Sequence, residues 1–149
     1  MKAAAQPARL AVSIALATLA ALASTCHARS IEAQLDCQST AHDFIAPLVQ
    51  DNLVERKPMR VEPNSVNAFK AVKGATLTAY GFKVYAVVGY QKDDPLFRQG
   101  AGKPISDSAY GAVVWGSDDA VEEKVRAAGS DAAVHHVAPF ITAIFCKRD

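Results

Sequence analysis

His135 and His136 are the side chains in this 149-residue chain best suited to proton transfer or metal binding, and their adjacency limits both. Neighbours on a strand point to opposite faces, so the pair does not close on one metal ion. A zinc site would need His42 and carboxylates from elsewhere. The reading is therefore no metal and no cofactor, with one histidine packed or hydrogen-bonded and the other at the surface. Either could serve as acid or base beside Asp107, Asp118 or Glu122, the arrangement of a small hydrolase. A nucleophile is harder to find, because the chain has neither Gly-x-Ser-x-Gly nor, past residue 28, Ser-x-x-Lys. Ser117 follows Trp115-Gly116 at a strand-to-helix turn, but it reads as a helix cap. Asp118 and Asp119 behind it oppose a developing oxyanion. No catalytic residue is assigned.

Binding is the better prospect. Gly100-Ala101-Gly102-Lys103 lacks the spacing of a phosphate loop, and Pro104 stands where its helix would begin. Asp93-Asp94 lack the alternating oxygen ligands of a calcium loop and fit a turn ahead of Pro95. Between them, Leu96-Phe97-Arg98 sets two apolar side chains and a guanidinium in the polar segment 92–108. Exposed, these are the residue types of a binding anchor; folded back, Leu96 and Phe97 staple the loop to the core. Tyr90 and Trp115, with Tyr80, Tyr85 and Tyr110, fall on the hairpin that flanks this loop. At strand spacing they are sheet packing, unless one sheet face is left uncovered. The candidate binding residues are thus Tyr90, Asp93, Asp94, Leu96, Phe97, Arg98 and Trp115.

The elements that must hold these residues follow from periodicity. Ile31, Leu35, Ala41, Phe44, Ile45, Leu48 and Val49 recur at three- and four-residue steps, which predicts helix over 31–54. Thr40 and Asp43 suit a cap, and Pro47 imposes a kink or a division. Residues 65–72 alternate loosely as a strand. Residues 75–91, rich in β-branched and aromatic side chains, form the clearest strand, with a bulge or bend at Gly81. Residues 109–116 are another strand. Helix is expected over 117–129, capped by Ser117, begun by two acids, ended by Gly129, and turning Val121, Val125 and Ala128 to the sheet. Residues 132–146 are one long strand bent at Pro139, or two. The sum is an α+β fold: an antiparallel sheet of four to five strands with two helices on one face, in the order α-β-β-β-α-β.

Residues 1–28 read as a secretory leader: Lys2 and Arg9, an apolar run over 10–23, and the small-residue tail Ser-Thr-Cys-His-Ala. The apolar run is shorter than the ~20 residues of a membrane span. Cleavage after Ala28 leaves one domain over 29–149, in the periplasm or outside the cell, with no transmembrane segment. Cleavage before Cys26 would instead anchor it by a lipid. Removing the leader leaves fourteen lysines and arginines against fifteen acids, no footprint for nucleic acid. Cys37 and Cys146 are then an even pair in an oxidising compartment, a disulfide.

The leader, that cysteine pair and the segments YAVVGYQKDDPLF and AYGAVVWG resemble the small exported proteins of unknown function of Gram-negative bacteria. The resemblance implies export and carries no functional residue. Periplasmic lysozyme inhibitors are likewise small, cysteine-tied and β-rich, but their short Cys-bracketed inhibitory loop is missing here. The expectation is a non-enzymatic exported module that binds a protein or small molecule through the 92–108 loop and its hairpin. The alternatives are the histidine-based hydrolase and a structural envelope protein.

Overall fold

A computed structural model describes residues 28–149. Residues 1–27 of the leader, Cys26 among them, lie outside the described residues. The chain runs β1 (Arg29–Ser30), a 3₁₀ turn (Glu32–Gln34), α1 (Ala41–Gln50), β2 (Arg60–Val61), β3 (Asn67–Phe69), β4 (Leu77–Ala79) and β5 (Phe82–Gln91). It continues through β6 (Ser108–Trp115), α2 (Asp118–Ala127), β7 (Ala133–Ala138) and β8 (Ile141–Arg148). The sheet has eight strands rather than the four or five expected. Its path is β1-β4-β5-β6-β8-β7, with β3 also bonded to β5 and β2 to β3. Among the described residues, only the β1–β4 pairing is parallel.

The extra strands have local causes. The run over 75–91 divides because Tyr80 and Gly81 both take positive φ, 52° and 84°. That is the two-residue turn whose twist suits a hairpin, so Gly81 makes a turn between β4 and β5 rather than a bulge inside one strand. The run over 132–146 divides at Pro139-Phe140, where proline precedes a residue at φ 58°. β1 and β2 are two-residue pairings without a periodic signal of their own. The helix expected over 31–54 begins only at Ala41, because Cys37 sits at φ 61° and interrupts it. Thr40 caps α1 by accepting a hydrogen bond from the Asp43 amide at 3.2 Å. Pro47 stays inside the helix.

Ala41, Phe44, Ile45 and Leu48 form the buried stripe of α1, and Val121 and Val125 that of α2. Ala128 is exposed, one residue past the helix end, instead of facing the sheet. A Cβ built at Gly89 would strike Ile45, and one at Gly116 would strike Val121. Register carries both glycines to the face of the sheet that also holds Tyr110, Ala112 and Val114. The two helices therefore share that face. Tyr110 is wholly buried there against Phe44, ring centres 4.9 Å apart. Burial pushes its phenol pKa up. Among the described residues, the opposite face carries no helix. Cys37 and Cys146 form a disulfide that joins the segment before α1 to β8. No helix among the described residues is long and apolar enough to cross a membrane.

Candidate ligand cleft beneath the 92–108 loop

The 92–108 segment is a long connection with turn formers throughout, yet it is firmly held. Its base closes where the Lys92 amide donates to the Asp107 carbonyl at 2.9 Å. Asp93 turns the chain at φ 59°, and the Asp94 carboxylate accepts from the Leu96 amide at 2.8 Å. The other Asp94 oxygen lies 2.6 Å from Nδ1 of His42, in the first turn of α1. The His42 amide donates to Gln91 at 3.0 Å. Turn chemistry thus forms the near wall and α1 braces it.

The far wall is zipped to residues 62–67. Asn67, fully buried at the head of β3, accepts from the Arg98 amide at 2.9 Å and donates to the Arg98 carbonyl at 2.7 Å. Its amide nitrogen also donates to the Ser65 carbonyl at 2.8 Å. Beyond it, the Gly100 amide donates to the Ser65 hydroxyl, Gly102 to the Pro63 carbonyl and Ile105 to the Asn64 carbonyl. Gly100 is glycine because the chains touch: a Cβ there would sit 2.2 Å from the Glu62 carbonyl oxygen. Close approach of two backbones, not a bound phosphate, accounts for the Gly-Ala-Gly sequence.

Between these walls opens a cleft of about 800 Å³. Tyr90, Phe97 and Ile105 contribute apolar surface, while Lys92, Asp93, Lys103, Asp107 and Asp149 supply charge. Asp94 is committed to His42 and the Leu96 amide. The lining holds four aspartates and two lysines; Lys92 lies 4.0 Å from Asp107 and Lys147 lies 4.0 Å from Asp149.

The candidate residues divide. Tyr90, Asp93, Asp94 and Phe97 all line this cleft. Phe97 is a core residue, edge-on to Phe69 at 6.1 Å and to Tyr90 at 6.4 Å, and Leu96 packs against the same core. The apolar pair staples the loop. Arg98 points to solvent while its peptide is clamped by Asn67. Trp115 stands at the opposite end of β6, on the helix-free face, stacked edge-on with Tyr85. Sequence reading missed Asn67 and the contributions of Lys92, Lys103 and Ile105. Only the length of the loop pointed towards them.

The histidines separate as strand geometry requires. His135 is exposed on the helix-free face. His136 lies across the sheet from it, with Nδ1 2.7 Å from Asp118 at the head of α2. The Thr142 hydroxyl is 2.6 Å from the second Asp118 oxygen. Hydrogen bonds from Thr142 and then His136 hold the Asp118 carboxyl below the usual range. Ser117 occupies the cap position of α2 without a side-chain hydrogen bond. Glu122 pairs instead with Arg126 along α2. No group of three or more His, Cys, Asp or Glu side chains suited to a metal ion occurs among the described residues.

Fold and cleft together define a small, disulfide-tied mixed α and β domain with a loop-roofed groove at one end of its sheet. Set against known proteins, the chain matches no family model, no curated sequence and no solved structure.

Proposed function

We propose that this chain is an exported, non-enzymatic binding module that takes its ligand in the cleft beneath the 92–108 loop. One observation carries the reading: a long loop, of the kind usually left mobile, is fastened on both sides around an open cleft of about 800 Å³. Small-molecule sites fall in the range of ~300–1,000 Å³ and are usually preformed. The ligand that suits this lining has an apolar part set on Ile105 and a basic group facing Asp93 and competing with Lys92 for Asp107. A protruding basic side chain of a protein partner satisfies the same chemistry. Export rests on the leader pattern and on the disulfide.

The test is an amide-resolved NMR titration of the oxidised protein with a panel of small organic cations and lysine- or arginine-containing peptides. The expected result is a set of shifts confined to residues 90–94 and 103–107, lost in Asp93→Asn/Asp107→Asn. Binding that survives this double variant, or shifts that map elsewhere, would overturn the reading.

A second reading, the small hydrolase, is favoured by the Asp118–His136 pair, in which a carboxylate holds Nδ1 and leaves Nε2 for proton transfer. Neither residue lines the cleft beneath the 92–108 loop. Turnover of activated esters that His136→Ala abolishes is its required result.

A further inference from the structure

We propose that the bare end of the helix-free sheet face docks on an anionic lipid bilayer. Among the described residues, the large hydrophobic side chains left exposed are Met59, Tyr85, Trp115, Val137 and Phe140. They are not scattered. Tyr85 and Trp115 stack edge-on with ring centres 5.7 Å apart, and Met59 shares a groove with both. Trp115 is opposite Ile141 in the sheet, and the Gly116 amide donates to the Phe140 carbonyl. Alternation puts Val137 on the same face, beside the bulge in β7. The five therefore form one strip that ends at the β7–β8 turn.

Phe140 is the most telling of them. It holds the left-handed position after Pro139, at φ 58°, a place that favours glycine or asparagine. The residue is 73% exposed. A strained, solvent-facing phenylalanine at a hairpin tip contributes nothing to the core and is shaped to enter another apolar phase.

The charge on this face selects the phase. Lys70, Lys73 and Lys83 border the groove that holds Met59, Tyr85 and Trp115, with Glu55 as its one acid. None of the three lysines takes part in an ion pair of the described residues. By alternation and register, no Asp or Glu occupies a helix-free-face position on β2 to β8. Aromatic rings at the headgroup level, a phenylalanine in the acyl boundary and lysines on anionic headgroups are the elements of interfacial binding. A second copy of the chain would bring lysines against lysines.

Trp115 is the single tryptophan, so its emission reports this face whatever else the chain touches. The oxidised protein, freed of the leader, is titrated with vesicles of phosphatidylcholine and phosphatidylglycerol in equal parts, and with phosphatidylcholine alone. The expected result is a shift of emission to shorter wavelength with the anionic vesicles, reversed by high salt. Lys70→Gln/Lys73→Gln/Lys83→Gln should weaken partitioning on the order of 100-fold, from the usual contribution of each lysine at an anionic surface. Phe140→Ser should weaken it without changing the near-ultraviolet circular dichroism of the fold. Unmoved emission, or equal response to neutral vesicles, would overturn the proposal. So would an emission shift that follows protein concentration without lipid and coincides with a dimer mass, because the strip would then be a self-interface.

Discussion

Replacing Asn67 tests whether the cleft is preformed by the clamp on Arg98. The side chain is fully buried, and its three hydrogen bonds are 2.7, 2.8 and 2.9 Å long. Asn67→Ala leaves the Arg98 amide and carbonyl without their partner. A part-buried group stripped of its hydrogen bond costs about 1–3 kcal/mol, so the docked loop loses roughly 2–6 kcal/mol for the two groups if it stays in place. Detachment limits that loss, because water then satisfies both groups. The two outcomes separate in hydrogen exchange. The amides of Arg98, Gly100, Gly102 and Ile105 should lose protection together, while those of β6 and β8 follow the smaller fall in global stability.

Asn67→Asp sharpens the test, since it keeps the acceptor for Arg98 but turns an oxygen towards two carbonyls. Its folded-state pKa must therefore rise above the ordinary ~3.9, and stability should recover as pH falls through that raised value. The reasoning is refuted if Asn67→Ala leaves the four amides protected and changes the denaturation free energy by less than about 0.5 kcal/mol.

Other perturbations probe the frame. Phe97→Ala should destabilise the domain by about 3–5 kcal/mol, the cost of emptying a core aromatic site, as read by urea denaturation; a surface-like effect would show that the ring is not a staple. Gly100→Ala drives a Cβ into the Glu62 carbonyl and should raise exchange at Gly102 and Ile105 specifically. Asp118 has a depressed folded pKa. Its stabilisation is present above the ordinary ~3.9 and lost as pH falls through the lower folded value; Thr142→Val should move its NMR titration upward and shrink that acid-side loss. Reducing the disulfide, which spans 109 positions, should cost up to ~4–5 kcal/mol by loop entropy, measured as a lower denaturation midpoint.

The amphipathic stripes of α1 and α2 were readable because burial on one side of a helix imposes a 3.6-residue period. Cys37 with Cys146 was readable from parity and compartment. The β4–β5 hairpin was only half legible: Tyr80-Gly81 is a turn pair, but a tyrosine at positive φ is not a signal sequence offers. The cleft was legible as a long loop and no further. Its walls depend on Asn67, Ser65 and Asn64 meeting Arg98, Gly100 and Ile105 across some thirty to forty positions. Tertiary pairing of that kind leaves no periodic trace in either segment. The opposite orientation of His135 and His136 was fixed by strand geometry, while the Asp118 partner of His136 depended on where β7 passes α2.

β8 comes later in sequence than β6 and β7 yet lies between them. Its cysteine is also the mate of one more than a hundred positions earlier. Any process that delivers this chain from its N-terminal side must therefore present β7 without its neighbour, and Cys37 as a thiol, until residues 141–148 have emerged. Assembly of this edge waits on β8, which joins β7 to the rest of the sheet and brings the two sulfurs together. Such a topology, rich in non-local pairings, slows folding. The same logic predicts that shortening β8 costs the whole domain rather than a frayed end.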